Sequence, residues 1–231
     1  YDEKALDLLL NCEKEIALDL KNSESQIVIN GDITDQSGPY LVKIHKSHAV
    51  SDTASYQMIS QAVVVISDNN GIVDTLKELR PGYYQTSKII GKIGNTYFLN
   101  VNYSGKVYSS VCKMNTKVDL DSLIQAETKF GSSVQKLLIP IFKDPVELGN
   151  KFRVVMKING FQDRNTNVFN DVINNGQKNF FPIFTKLELK TGDSVNVELQ
   201  SIDENVHSYF FTLYNIENGA IPTNPPSNIS G

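Results

Sequence analysis

The first half of the chain alternates between short apolar stretches and residues that favour turns. Within residues 96–103 every second side chain is apolar and most of the others are polar, a period of two that indicates a strand with one buried face. Residues 62–66 are apolar throughout, and the Asp68-Asn69-Asn70-Gly71 that follows suits the positive φ angles of a tight hairpin. Gly91 and Gly94 are likewise interpreted as turn glycines. Further strands are predicted at 27–29, 40–45, 72–76, 83–84 and 106–112.

About seven short strands bounded by turns are typical of an antiparallel sandwich. We therefore predict that residues 26–115 form a β-sandwich of immunoglobulin or transthyretin type. Residues 1–25 are predicted to be a tether, and a polar connector over 115–123 marks the start of a second domain, 116–231.

The second domain is predicted to be β-rich with one helix. Val206, Tyr209, Phe210, Leu213 and Tyr214 recur at helical spacing before Asn218-Gly219, a stop signal. Ser201 and Glu204 have the spacing of a capping box, and Asp203 is a competing cap. We predict a helix near 204–217 whose aromatic stripe packs in the core, within a mainly all-β fold of two β-sandwich-like domains. The strands predicted in this domain are 137–142, 152–158, 180–189 and 194–199.

The overall charge disfavours one class of partner. The formal net charge is −4 and the isoelectric point is near 5.4, so the chain repels phosphate and nucleic acid is not expected as a partner. No apolar stretch reaches the roughly 20 residues that span a bilayer as a helix.

The sequence lacks the usual patterns of catalytic and metal sites. His45 and His48 are three residues apart in or after a strand and are predicted to face opposite sides, as solvated side chains, and His207 is predicted to be exposed on the helix. Asp171 to Gly176 resembles part of a calcium loop, but Ile173 stands where an oxygen ligand is required and Pro182 stands at the twelfth position. We interpret that segment as a plain turn. We predict no metal, no cofactor and no catalytic residues, because no nucleophile stands in a recognised arrangement with a base.

Cys12 is the most informative single residue of the chain. Leu8 to Asn11 before it resemble the end of a bacterial lipobox, in the looser form found in Bacteroidota. Acyl chains on such a cysteine contribute about 0.8 kcal/mol per buried CH₂ and anchor a protein to a membrane. The charged residues directly after it resemble a signal for export to the outer face of the outer membrane: Glu13, Lys14 and Glu15.

Two other interpretations of Cys12 stay open. Asp2, Glu3 and Asp7 do not suit a signal peptide, so Leu6 to Leu10 could be an amphipathic segment and Cys12 an ordinary thiol. A disulfide with Cys112 would exclude lipidation. Cys112 itself is predicted at the end of a strand, where a lone thiol is usually a small core side chain.

An ordered set of motifs resembles a known family. From Cys12 onward the chain is similar to an uncharacterised family of Bacteroidota outer-membrane lipoproteins, whose members are often encoded beside TonB-dependent receptors. Members usually continue into a glycine-rich end, so a further C-terminal strand is expected. The motifs that carry the resemblance are Cys12-Glu13-Lys14-Glu15-Ile16, Ile27-Val28-Ile29-Asn30-Gly31-Asp32, Ala62-Val63-Val64-Val65-Ile66-Ser67-Asp68-Asn69-Asn70-Gly71, Pro81-Gly82-Tyr83-Tyr84, Gly94-Asn95-Thr96-Tyr97 and Asn224-Pro225-Pro226-Ser227-Asn228.

The resemblance implies a lipid-anchored protein at the cell surface, with an outer-membrane protein complex or a TonB-dependent receptor as its partner. It implies no catalytic residues. Proteins of this phylum carry O-glycans at Asp-Ser/Thr-apolar triplets, and Thr53 and Ser122, both predicted in loops, are the candidate sites. We expect a non-catalytic binding or accessory role. A carbohydrate-binding surface module is the alternative, and a surface hydrolase is the least favoured. The alternative depends on five tyrosines: Tyr56, Tyr83, Tyr84, Tyr103 and Tyr108.

Overall fold

A computed structural model describes residues 25–47, 55–130, 133–172 and 175–219. It confirms the predicted fold class, since the described chain is mainly β, with several antiparallel sheets and one helix near its C-terminal end. The strands are β1 (Ile27–Gly31), β2 (Leu41–Lys46), β3 (Val63–Asp68), β4 (Val73–Thr75), β5 (Lys77–Arg80), β6 (Tyr83–Gln85), β7 (Thr96–Tyr103), β8 (Lys106–Lys113), β9 (Ser122–Phe130), β10 (Ser133–Ile141), β11 (Lys151–Ile158), β12 (Phe161–Gln162), β13 (Asn167–Asn170) and β14 (Val195–Ser201), and the helix is α1 (Glu204–Glu217).

The first eight strands form two four-stranded antiparallel sheets. One has the order β1-β2-β6-β5 and the other β4-β3-β7-β8. The alternation predicted for β7 is confirmed, because Tyr97 and Val101 are buried while Asn100 and Asn102 are not. Both sheets contribute to one core, which makes the region a sandwich. Its buried apolar side chains are Tyr40, Val42, Ile44, Ile59, Val64, Ile66, Leu76, Tyr84, Ile89, Tyr97 and Val101.

The second region combines a two-stranded ribbon with a small sheet. Strands β9 and β10 pair along their whole length as the ribbon. In the sheet, β11 pairs with β13 and β12 along one edge and with β14 along the other. Leu138 of the ribbon and Val154 of β11 belong to the same buried cluster, so the ribbon and the sheet share a core. The predicted alternation of β11 is confirmed, since its buried residues are Phe152, Val154, Met156 and Ile158.

The predicted strand over 180–189 is wrong. Only Ile183 makes a ladder contact there, an isolated bridge to Leu138, although its side chain is buried. Pro182 has no backbone N–H to donate to a ladder. The side chains of Phe180 and Phe184 are exposed, so the segment is a loop and not a strand with one buried face.

Helix α1 has the predicted bounds but a different buried face. The stripe from Val206 to Leu213 is half-buried and Tyr214 is exposed, so these side chains line the edge of the core. The prediction that His207 is exposed is wrong, because its side chain is buried where α1 lies against β11 and β13. Burial lowers the pKa of His207, the nearby Lys151 ammonium lowers it further, and Glu204 opposes the shift.

The N-terminus of α1 is capped by Asp203 and not by Ser201. The Asp203 carboxylate accepts a hydrogen bond from the Val206 N–H at 2.9 Å, and Ser201 Oγ is buried with no hydrogen-bond partner within the described chain. We expect Asp203→Ala to lower the free energy of unfolding by about 1 kcal/mol, measured by urea denaturation. Ser201→Ala is the matched control, and an equal loss in that variant would contradict the assignment of the cap.

One hydrogen bond joins the end of the first region to the residues before α1, and a second contact joins β11 to α1. The Asn115 side-chain amide donates to the Ile202 carbonyl at 2.7 Å, two residues before the helix. The Arg153 guanidinium lies 3.8 Å from the centre of the Phe210 ring, which is close enough for a cation–π interaction. The domain boundary near residue 115 stays a prediction.

In the part of the chain that the structure describes, no helix is both long enough and apolar enough to cross a membrane.

Candidate binding surface

Most of the predicted anchor and modification sites lie outside the described residues. Cys12 and Thr53 are among them, together with the export signal Glu13, Lys14 and Glu15. Lipidation of Cys12 and its alternative disulfide with Cys112 therefore stay predictions.

Ser122 is described and is exposed. The prediction that it lies in a loop is wrong, because it is the first residue of β9 and pairs with Ile141. The preceding residue, Asp121, donates its backbone N–H to the Ile141 carbonyl at 2.8 Å. The role of Ser122 as an O-glycan acceptor remains a prediction.

Cys112 does not have the core position expected of it. Its side chain is exposed near the end of β8, because this end strand of the sheet turns most of its side chains outward. The surrounding protein nevertheless raises the pKa of the thiol by desolvation, and the negative charges of Asp203 and Asp32 add to the shift.

Of the two histidines that could form a metal pair, only His45 lies within the described residues. His45 was expected to be solvated, but it is buried in β2 beneath Tyr56, with ring centroids 4.5 Å apart. Tyr56 lies outside β2, so the sequence pattern of that strand does not predict the burial of His45. His48 lies outside the described residues, so the pair itself is not tested.

The five tyrosines proposed for sugar binding are dispersed by the fold. Tyr84 is in the core, where its hydroxyl donates to the Ile59 carbonyl at 3.0 Å. Tyr103 and Tyr108 are half-buried and pack against that same core. Tyr56 and Tyr83 alone among the five share one outer surface with basic side chains.

We name that surface the basic aromatic patch, which consists of Lys43, Tyr56, Arg80 and Tyr83. The Arg80 guanidinium lies 3.8 Å from the Tyr83 ring centre. The Lys43 ammonium lies 5.3 Å from the Tyr56 ring and 6.0 Å from the Tyr83 ring. Such an array offers ring faces and positive charge together, which suits a sugar or an acidic group.

A second surface is formed by two loops of the second region. We name residues 143–150, 171–172 and 175–178 the apolar loop pair. The first loop joins β10 to β11 and the second follows β13. The first loop is flanked by a buried aromatic contact, because Phe142 packs on Phe152 with ring centroids 4.9 Å apart.

Two buried aspartates fix these loops to each other. The Asp171 carboxylate accepts hydrogen bonds from the backbone N–H groups of Gly149 and Asn150, the latter at 2.8 Å. The Asp144 carboxylate accepts from the Gly176 N–H at 3.1 Å. Each loop therefore contributes one aspartate that binds the backbone of the other loop.

Further backbone contacts complete the connection. The Asn175 amide donates to the Val146 carbonyl at 3.0 Å. The Asp144 N–H donates to the Gln177 carbonyl and the Asn179 N–H to the Phe142 carbonyl, both at 2.9 Å. This dense hydrogen bonding fixes the backbone from which the side chains project.

Large apolar side chains project outward from this fixed backbone. Leu148 is 82% exposed, Val172 is 77% exposed and Val146 is 70% exposed. Glu147, between two of them, is also exposed. Scattered exposed apolar residues are ordinary on a monomer, but a group of them on one loop tip marks an interaction surface.

Asp144 is a buried acidic group in the interior of the loop pair. Burial raises the pKa of the Asp144 carboxyl above its ordinary value, the hydrogen bond from Gly176 opposes the shift, and the negative charge of Asp171 adds to it. The Oδ1 atoms of Asp144 and Asn175 are buried with no hydrogen-bond partner within the described residues.

Other features of the described residues are less informative about function. No group of three or more His, Cys, Asp or Glu residues is arranged to hold a metal ion there. A cleft of about 240 Å³ lies between the ribbon and the turn at residues 189–193, which is smaller than most ligand pockets. Lys136 closes part of it by donating to the Thr191 hydroxyl at 2.8 Å.

The sequence contains a weak signal for the apolar loop pair. Pro145-Val146-Glu147-Leu148-Gly149 places two apolar residues between turn formers, where a plain loop would be polar. Asp144 and Asp171 are far apart in sequence, so their proximity depends on the pairing of residues 142–144 with 177–179.

Comparison with known proteins identifies a family and nothing closer. No curated protein and no solved structure matches the chain. The family model described as "Domain of unknown function (DUF4249)" matches residues 13–231. Because this match spans nearly the whole chain, the protein belongs to the DUF4249 family.

Proposed function

We propose that this protein is a non-catalytic, lipid-anchored surface lipoprotein that binds another protein in an outer-membrane complex, with a TonB-dependent receptor as the favoured partner. The observation that carries the proposal is the set of exposed apolar side chains on the hydrogen-bonded apolar loop pair. Val146, Leu148 and Val172 are its contact residues.

A fixed apolar loop tip is well suited to binding. Association ordinarily costs free energy for ordering loops and side chains at the interface. The hydrogen bonds from Asp144 and Asp171 already fix this backbone, so little of that cost remains. Burying one leucine or valine fully contributes about 1.5–3 kcal/mol.

The charge of the tip favours a protein over a lipid surface. Glu147 stands between Val146 and Leu148 and is exposed, so its carboxylate would meet whatever covers them. Anionic headgroups would repel it, whereas a protein can supply a lysine or arginine at that position. The net charge of −4 points the same way.

Family membership and the N-terminal motif supply the location in this proposal. The family match begins at residue 13, directly after Cys12, as expected when a folded domain follows a lipid-bearing cysteine. The resemblance to lipoproteins encoded beside TonB-dependent receptors supplies the class of partner. Both the anchor and the receptor remain parts of the proposal.

Purification of the complex from native membranes tests the proposal. The tagged full chain, expressed in its own outer membrane and extracted with mild detergent, should recover a receptor-sized partner. Leu148→Asp and Val172→Asp should each lower that recovery about 30-fold, the equivalent of a contact worth about 2 kcal/mol. Mass spectrometry of the N-terminal peptide from the same membranes should find acyl groups on Cys12.

Val107→Asp is the matched control, since Val107 is 67% exposed on β8 and lies outside the apolar loop pair. Its recovery of partner should equal that of the unchanged protein. The proposal fails when the unchanged protein is recovered alone, or when both loop variants recover the partner normally. A loss confined to Tyr56→Ala would instead favour the alternative, a carbohydrate-binding module that uses the basic aromatic patch.

A further inference from the structure

Two buried aspartates lie in the interior of the apolar loop pair. Asp144 is 2% exposed and Asp171 is 4% exposed, and the two carboxylates are close enough for one to raise the pKa of the other. Neither is in an ion pair within the described chain. The pairs found there are Lys117–Asp119, Lys151–Glu204, Lys186–Glu217 and Lys190–Glu188.

Within the described part of this interior, two buried oxygen atoms have no hydrogen-bond donor. One is Asp144 Oδ1 and the other is Asn175 Oδ1, from facing loops. The remaining polar atoms around them are engaged, since Asp144 Oδ2 accepts from Gly176 N–H and Asn175 Nδ2 donates to the Val146 carbonyl. Burying a carboxylate oxygen without a donor or a cation costs several kcal/mol.

We propose that the apolar loop pair binds a hard divalent cation, Ca²⁺, through Asp144 Oδ1, Asn175 Oδ1 and the carboxylate of Asp171. A cation there would neutralise both aspartates and give each unpartnered oxygen a ligand bond. Carboxylate and amide oxygens without nitrogen or sulfur ligands favour Ca²⁺ over Zn²⁺. A site on loops also suits the flexible coordination of Ca²⁺ better than the strict octahedron of Mg²⁺.

The structure explains why the segment from Asp171 to Gly176 matches only part of a calcium loop. Asp171, Asn175 and Gly176 occupy the first, fifth and sixth positions of a calcium loop, and Gly176 has the positive φ of 72° that such a turn requires. Ile173 and Pro182 fail as ligands at the third and twelfth positions. Asp144, on the preceding loop, supplies an acidic ligand from outside the segment.

A proton is the competing occupant of this site. Protonated Asp144 would remove one of the two negative charges and donate a hydrogen bond to a neighbouring oxygen such as Asn175 Oδ1. In that case Asp144→Asn, which also carries donors, would be tolerated and Ca²⁺ would have no effect. The two occupants therefore differ in their response to added calcium.

The experiment uses the purified full chain, stripped with a chelator and then titrated with CaCl₂. Calorimetry should give a dissociation constant on the order of 10⁻⁴ M, in the range of extracellular calcium modules. Saturation at ten times that concentration should raise Tm by about 4 °C. Asp144→Asn should weaken calcium binding at least about tenfold and abolish the rise in Tm.

Asp163→Asn is the matched control. Asp163 is also buried, but hydrogen bonds engage both its oxygens, from Asn165 N–H at 2.7 Å and Lys186 N–H at 2.9 Å among others. This variant should lose stability and keep the calcium-induced rise. The proposal is overturned when the unchanged protein shows no binding or when Asp144→Asn binds normally.

This inference does not rest on the proposed partner. Leu148→Asp leaves all three cation ligands in place, so it should bind Ca²⁺ like the unchanged protein while it loses the membrane partner. Failure of calcium binding with normal partner recovery, or the reverse, would assign the error to one proposal alone.

Discussion

Gly91→Ala should lower the free energy of unfolding by about 3 kcal/mol or more, although it adds only a methyl group. A Cβ at this position would lie 1.8 Å from the Thr34 carbonyl oxygen and 2.8 Å from the Thr34 carbonyl carbon. Backbone atoms cannot be displaced by a rotamer change, so one of the two loops must move.

Hydrogen bonds at this crossing oppose such a movement. The Tyr40 hydroxyl accepts from the Gly91 N–H at 2.8 Å. It shares its own proton between the carbonyls of Thr34, at 2.9 Å, and Gln36, at 2.7 Å. Separating the loops would therefore break contacts of a tyrosine that is itself part of the core.

Gly105→Ala is the control for this variant. Gly105 has a φ of 74° and nothing within 4 Å of an added Cβ, so its replacement costs about 1–2 kcal/mol for backbone strain alone. Urea denaturation with an unchanged m-value measures both losses. An equal loss in the two variants would show that the close approach at Gly91 is relaxed at little cost.

Gly91 also illustrates what the sequence predicts and what it does not. The sequence pattern predicts turn glycines at Gly91 and Gly94, and this is correct for Gly94, whose φ is 85°. Gly91 is required instead because another backbone passes close to it. That crossing joins residues far apart in the chain, and no local pattern encodes it.

The elements that were predicted well have strong local signals. Strands β7 and β11 follow from a period of two, and α1 follows from its apolar repeat and stop signal. The predictions that failed depend on tertiary neighbours. His207 is buried where α1 lies against β11 and β13. The apolar side chains of residues 180–189 indicate a strand, but Phe180 and Phe184 are exposed and Pro182 has no N–H to donate to a ladder.

The sequence predicts the general type of the binding surface but not its position. A binding role for loops at the end of a sheet-built region follows from general principles, but the particular loops do not. The exposed side chains of Val146, Leu148 and Val172 would ordinarily be assigned to a core by their chemistry. In the structure these three side chains are exposed, whereas Asp144 and Asp171 are buried in the interior of the loop pair.

Asp74→Ala should be at least as destabilising as Gly91→Ala, with a loss of about 4 kcal/mol. Asp74 in β4 is fully buried. Its carboxylate accepts from the N–H groups of Ser87 and Lys88, both at 2.6 Å, from Ile89 N–H at 3.1 Å and from the Ser87 hydroxyl at 2.9 Å. Alanine leaves several buried donors without an acceptor and releases the segment that carries the core residue Ile89.

The loss at Asp74 should depend on pH in a defined direction. Burial alone would raise the pKa of this carboxyl, but the hydrogen bonds from residues 87–89 outweigh burial and the pKa lies below its ordinary value. The carboxylate therefore contributes its full stability above the ordinary aspartate pKa of about 3.9, and this contribution is lost as pH falls through the folded-state value. Denaturation at pH 7 and in the acid range below pH 4 should show the gap between the unchanged protein and Asp74→Ala shrinking in acid. Asp119→Ala, at a carboxylate whose side chain is 87% exposed, should change little at either pH, and a gap at Asp74 that is constant with pH would contradict the role assigned to its charge.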